Sequence, residues 1–261
     1  FQKPANAIVF KYNATNDTWE QFGQTLQGAI QNSNNDTIPG GLISVGDIES
    51  HQGTSMWPRF DPTAVSMSPT GLTVAVLGKG LTRVFDWDGV DTWVQRGADI
   101  TWAGIFSYVH MTSDTNTLVF SDGTADSMAP TSNNMHVSSV NNGAVRVFRY
   151  DAGSDEWVKT NDRFDGQYEI AALRLYGMTP DAGKLFIGPG RDPNSSNNQN
   201  PSHNTFIDVY EYDQAIDQYK LSTRIDTLDV QGAGLLTPDG ERFWYSTIDA
   251  TTGNLDFGNL C

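Results

Sequence analysis

The residues with the most chemical capacity lie in short polar runs between aromatic strands. Asp86-Trp87-Asp88-Gly89-Val90-Asp91 sets the carboxylates of Asp86, Asp88 and Asp91 around a glycine. Calcium is held by several oxygens gathered on one tight turn, and this run offers that arrangement without a terminal bidentate Glu. The corresponding runs elsewhere are residues 13–17, 151–155 and 213–217, each rich in Asn and Asp. Asn, Asp and Gly recur at hairpin tips because they bond to their own backbone and tolerate left-handed conformations. The recurrence therefore reads first as turn chemistry, with calcium as the second reading.

Other reactive patterns are sparse. His51, His110, His136 and His203 show no H-x3-H spacing, so no pair is placed as zinc ligands on one helix turn. His110 falls in an expected strand and reads as structural. The sequence has no G-x-S-x-G and no S-x-x-K with its partners, and its one cysteine is Cys261. No Gly-rich loop opens a helix to cradle a phosphate. Carboxylates are too numerous for sequence alone to single out a glycosidase pair, because their separation in space decides that chemistry. Trp57 and Trp102 could stack on a sugar ring. Asn13, Asn16, Asn35 and Asn194 each begin an N-x-[ST] acceptor for N-glycans and fall where turns and loops are expected.

The chain has 261 residues and a net charge of -15, from 31 acidic against 16 basic residues. That balance disfavours nucleic acid and anionic membranes, which select basic faces. Hydrophobic residues make up 38% and aromatics 11%, enough for packed layers and unlike a disordered chain. No apolar run approaches the ~18 residues of a membrane span. Cys261 has no partner in the chain, so any disulfide it forms is intermolecular. The start on Phe1 suggests a trimmed or partial chain.

A repeat positions these residues. Four segments share the form V-[FY]-x-[aromatic], then five or six polar residues, then an aromatic: residues 8–12 with Trp19, 83–87 with Trp93, 146–150 with Trp157, and 208–212 with Tyr219. Alternating apolar residues of high β propensity make strands, and the polar run reverses the chain, so each segment is a hairpin. Regularly spaced aromatics read as core, including Trp19, Trp93, Trp157 and Tyr219. Between the hairpins lies a second element: an apolar run, a turn, and another apolar run. Its turns are Ser68-Pro69-Thr70-Gly71, Ser113-Asp114-Thr115-Asn116, Thr179-Pro180-Asp181-Ala182-Gly183 and Thr237-Pro238-Asp239-Gly240.

Two hairpins per unit make one four-stranded antiparallel blade, and stacked blades bury sheets that are apolar on both faces. The fold expected is an all-β β-propeller of four blades. Its units are residues 63–102, 105–166 and 170–229, with a closing blade shared by residues 230–250 and 7–28. The alternative is a fragment of a six- to eight-bladed ring. Insertions at 29–62, 122–143 and 188–205 would project from the rims, where binding loops are usually carried. A short helical turn is expected near residues 47–51.

The unit "V-x-V-F-x-Y…W", followed by an apolar strand and "S/T-P-D-G", resembles FG-GAP-type repeats of integrin α-chain-like propellers. It is similar also to repeats of large secreted algal and bacterial proteins. The D-x-[DN]-x-D-G calcium loop of FG-GAP repeats is missing, and the family closes with seven units where four are counted here. The resemblance implies adhesion or matrix-like binding. Together with the sequons it leads to the expectation of a non-catalytic, extracellular or cell-surface module that contacts other extracellular proteins or glycans through rim loops. Calcium is its only candidate cofactor. The alternative is a carbohydrate-binding propeller, or a glycan-active hydrolase working in the central funnel.

Overall fold

The computed structural model describes residues 6–27, 29–31, 37–39, 65–78, 81–101, 108–122, 144–162, 164–165, 173–189, 206–226, 235–248 and 255–260. All regular elements among them are β-strands, and they pair antiparallel. The chain divides into two compact units, residues 1–111 with 149–158, and residues 112–148 with 159–261.

Three sheets are meanders of four consecutive strands. The first runs Val65–Met67, Thr73–Gly78, Leu81–Trp87 and Trp93–Gln95. The second runs Tyr108–Met111, Thr117–Asp122, Ala144–Asp151 and Glu156–Lys159. The third runs Leu173–Met178, Lys184–Pro189, Phe206–Asp213 and Gln218–Asp226. This is the blade unit of a β-propeller, the architecture expected from the repeat. A three-stranded sheet of Leu235–Leu236, Phe243–Ile248 and Leu255–Leu260 follows. Its third strand lies past residue 250, where the expected closing unit stopped. Phe10–Asn13 pairs with Thr18–Gln21.

Burial explains why the inner strands read as continuous apolar runs. Thr73 through Leu77 are all buried, and so are Ala144 through Phe148. A strand covered on both faces has no polar side to alternate with. The outer strands alternate: in Trp93–Gln95 and Glu156–Lys159 only the tryptophan is buried. In the first unit Val9, Leu26, Val74, Val76, Phe85 and Trp93 form one apolar cluster. In the second, Val119, Val145, Val147, Leu175, Leu185 and Ile187 belong to another.

The turns of the second element share one wiring. Thr112, Thr179 and Thr237 each accept a backbone N–H five residues on, from Thr117, Lys184 and Arg242, at 2.9–3.0 Å. Each donates its hydroxyl to the Asp two residues on: Asp114, Asp181 and Asp239. Ser68 accepts the Thr73 N–H in the same way at 3.0 Å. The residue three after that Ser or Thr is left-handed in all four: Gly71 at φ 71, Thr115 at φ 64, Ala182 at φ 53 and Gly240 at φ 71.

The outer strands are interrupted rather than ended. After a bend, Ile100–Thr101 returns to pair with Thr82 and Leu81, and Phe164–Asp165 returns to Val145 and Ala144. Leu26–Gln27 likewise pairs with Asn6–Ala7. Gly23 at φ 77 and Gly97 at φ 72 supply two of these bends, since a left-handed residue breaks a strand without ending the pairing beyond it. The fourth hairpin has Thr223 in the corresponding place. There the strand runs unbroken to Asp226, with a register shift between Val209 and Tyr210. Ala29–Gln31 and Thr37–Pro39 form an unanticipated hairpin. The rest of the three insertions and the turn near residues 47–51 lie outside the described residues.

Candidate functional site

The most specific surface is built where one hairpin meets the next. In the first unit, Trp87 ends the lead strand of the second hairpin and Trp93 opens its return strand. The two rings sit 5.4 Å apart at 66°. Phe22, from the exit of the first hairpin, packs on both, stacked on Trp87 at 3.9 Å and edge-on to Trp93 at 5.9 Å. The Trp93 indole N–H donates to the Phe22 carbonyl at 2.9 Å. Gln24 completes the seat: it accepts the Trp93 N–H at 2.8 Å and donates to the Trp93 carbonyl at 2.6 Å. Gly23 allows this approach, because a Cβ there would lie 2.6 Å from both indoles.

The same clasp recurs one hairpin later. Tyr150 and Trp157, 5.3 Å apart at 50°, carry Arg96, whose guanidinium lies 4.0 Å from the Tyr150 ring centre and 5.6 Å from that of Trp157. The Trp157 indole donates to the Arg96 carbonyl at 3.1 Å. A Cβ on Gly97 would lie 2.9 Å from Trp157. Asp86 lies 3.7 Å from the other edge of Arg96. In the second unit Tyr212 and Tyr219, 5.3 Å apart, follow the same plan. The Tyr219 N–H donates to Asp162 at 2.9 Å and its hydroxyl to the Ala182 carbonyl at 2.6 Å.

The first hairpin carries the same pair with a different outcome. Tyr12 and Trp19 lie 5.5 Å apart at 56°, yet Tyr12 is 45% and Trp19 69% exposed, against 3% for Trp93 and 9% for Trp157. The reading of Trp19 as core is therefore corrected. Its partners in the other hairpins bury against an exit corner, and among the described residues no such corner lies on Trp19. Phe10 and Ile8, at 54% and 47%, extend the apolar strip.

Three hairpin tips share one polar lock. Tyr12, Tyr150 and Tyr212 each donate to the Asp five residues on, Asp17, Asp155 and Asp217. Those aspartates are left-handed, at φ 55, 55 and 53. The bond to the carboxylate, then burial, holds the Tyr12 and Tyr150 hydroxyls above their ordinary pKa. Asn13, Asp151 and Asp213 each accept a backbone N–H two residues on.

The sequence-flagged carboxylates are engaged in the same way. Asp88 Oδ1 accepts the backbone N–H groups of Val90, Asp91 and Thr92 at 2.8, 3.1 and 3.1 Å. These bonds, that of Val90 foremost, hold Asp88 below its ordinary pKa. Asp86 accepts the Thr73 hydroxyl at 2.8 Å and Asp91 that of Thr92 at 2.9 Å. No cluster of three His, Cys, Asp or Glu suited to a metal occurs among the described residues. Of the sequon asparagines, Asn13 and Asn16 sit on the first hairpin, both donating to Glu20, at 3.0 and 3.3 Å. Asn35, Asn194, Trp57, Trp102 and Cys261 lie outside the described residues, as do His51, His136 and His203. His110 lies in Tyr108–Met111. No described helix is long and apolar enough to cross a membrane.

Sequence reasoning found the aromatic pairs and missed what packs on them. The signal was the two residues after the return strand, Phe22-Gly23 and Arg96-Gly97. It also missed a charge-swapped pair: Arg83 meets Asp99 at 2.8 Å in the first sheet, and Arg224 meets Asp208 at 2.6 Å in the third. In the second unit a groove of about 320 Å³ is lined by Phe186, Val209, Thr223, Ile225 and Phe243, with Lys184 and Glu211 paired at 3.3 Å on its rim.

No family model matches the chain, and no curated protein matches it. Solved structures do. A protein from Lactobacillus plantarum superposes with a TM-score of 0.51 at 12% identity, over 97% of this chain and 64% of that one. A functionally unknown protein from Desulfotomaculum acetoxidans gives 0.44 at 13% identity, over 75% and 54%. Saccharomyces cerevisiae Sqt1 gives 0.45 at 13%, over 74% and 46%. The chain thus spans less than two thirds of the length of each of these three. Identities this low speak for fold alone, and the chain's own sheets give that fold as an all-β propeller of four-stranded blades.

Proposed function

We propose that this chain is a non-catalytic protein-interaction module of an extracellular or cell-surface protein. The observation that carries the reading is the exposed aromatic strip of the first hairpin, Phe10, Tyr12 and Trp19, at 54%, 45% and 69% exposure. Contiguous exposed aromatics mark contact surfaces, because leaving them in water forgoes their burial energy. The described carboxylates of the turns support the same reading, being spent on backbone amides and hydroxyls. The extracellular assignment rests on the sequons, of which Asn13 and Asn16 lie on an exposed hairpin.

The test is the natural protein from its native host. Secretion or surface display, with a mobility shift on enzymatic removal of N-glycans, is expected. Cytosolic retention without glycan would overturn the extracellular assignment. Turnover of a glycan or ester library by the purified chain would overturn the non-catalytic one.

A further inference from the structure

We infer that the Tyr12/Trp19 pair, on which no exit corner lies among the described residues, is a clasp for one specific occupant: the exit corner of a blade-type β-hairpin, carrying an arginine followed by glycine and supplied by another polypeptide segment. The inference rests on the interaction-module reading and names its partner chemistry.

The chain itself shows what such a pair binds. Two filled examples lie in the first unit. Trp87 and Trp93 close on Phe22-Gly23, and Tyr150 and Trp157 close on Arg96-Gly97. In both, the side chain packs against the two rings, the backbone carbonyl accepts the indole N–H, and the glycine removes the Cβ that would strike the indole. Tyr12 and Trp19 match the second example in residue type, in the tyrosine bond to a left-handed aspartate five residues on, and in ring separation, 5.5 against 5.3 Å.

Arginine is the expected occupant because that Tyr/Trp pair already holds one. A guanidinium over a tyrosine face gains cation–π attraction that an aliphatic side chain does not. The net charge of -15 draws a basic corner in the same direction. Phe22-Gly23 and Arg96-Gly97 are already clasped within the chain, and the fourth hairpin runs through Thr223 as unbroken strand. None of these corners is therefore open to a second copy.

The probe is a cyclic peptide carrying residues 83–97, closed through a D-Pro-Gly turn, with Trp87 and Trp93 replaced by Thr so that only the protein emits tryptophan fluorescence. Saturable binding to the full chain is expected, with a change in Trp emission. Trp19→Ser is expected to weaken it about tenfold or more, and Arg96→Ala in the peptide by a similar factor. Trp19→Tyr, which copies the fourth hairpin's Tyr/Tyr pair, keeps an aromatic face but loses the indole N–H; it is expected to bind less tightly than wild type and more tightly than Trp19→Ser, and serves as the folded control. Equal affinity for wild type and Trp19→Ser, no binding at all, or indifference to Arg96→Ala would overturn the proposal. So would concentration-dependent dimerisation lost in Trp19→Ser, which would make a second copy the occupant. Failure here with secretion and glycosylation intact removes the clasp and leaves the module reading standing.

Discussion

Replacing Gly23 by alanine separates the two jobs of a clasp glycine. At φ 77 an L-residue pays roughly 1–2 kcal/mol for left-handed backbone. The added methyl would also sit 2.6 Å from Trp87 and Trp93, far inside contact distance. Neither indole yields easily: Trp93 is pinned by its bond to Phe22 and Trp87 by the stacked Phe22 ring. Such overpacking costs about 1–3 kcal/mol, for a total of about 2–5 kcal/mol. Gly89 is the matched control, because its φ is 87 but a Cβ there meets nothing within 4 Å. Gly89→Ala should therefore lose only the backbone share, about 1–2 kcal/mol. Denaturant unfolding followed by tryptophan emission reads both from the midpoint at constant slope. Loss of unfolded-state entropy on Gly→Ala is common to the two variants and cancels. Equal losses would refute the argument that the glycine exists to admit the indole. Gly97→Ala, with φ 72 and a Cβ 2.9 Å from Trp157, should fall between them.

Three further outcomes are expected. Trp93→Phe keeps a ring but leaves the Phe22 carbonyl without its donor, and should lower stability by about 1–3 kcal/mol, whereas Val90→Ser, at 79% exposure, should stay within about 0.5 kcal/mol. For Asp99, burial raises the pKa, but bonds from Arg83 and Gln95 outweigh it and the net shift is downward; the Thr179 hydroxyl and Gly183 N–H lower Asp181 likewise. A carboxylate lowered on folding stabilises above its unfolded pKa of about 3.9, so the unfolding midpoint should hold above about pH 5 and fall as acid passes that value toward the lowered ones; a flat profile to pH 3 would contradict this. Calcium at about 1 mM, the weak end of extracellular sites, should leave the midpoint unchanged, since Asp88 is bonded to three amides; a rise abolished by Asp91→Asn would support the calcium reading of Asp86, Asp88 and Asp91.

The fold was legible because its signals are local. Residues 73–77 and 117–120 read as apolar runs, the Pro-Asp-Gly and Asn/Asp turns punctuate them, and the aromatic spacing announces the hairpin. The clasp was only half legible. Trp93 and Trp157 show in the sequence, but that Phe22 and Arg96 fill one role is hidden by their opposite chemistry. Both fit because an aromatic face accepts a ring or a guanidinium equally well. The exposure of Trp19 could not be read at all, since burial depends on what lies across from a residue and the repeat makes all four positions look alike. The Arg83–Asp99 and Asp208–Arg224 pairs were hidden similarly: a swap of sign conserves the attraction and erases the pattern.

The glycine corners also bear on solubility. An outermost strand offers unpaired amides that any extended chain can adopt as a template, and short or broken edges limit that hazard. Trp93–Gln95 and Glu156–Lys159 present only three and four residues before the backbone bends. Gln218–Asp226 has no corner and runs nine residues along the edge of its sheet. What guards it is charge and irregularity: Lys220, Arg224 and the register shift beside Tyr210. Of the described strands, this one is where neutralising a lysine or arginine should first make the chain self-associate through its backbone.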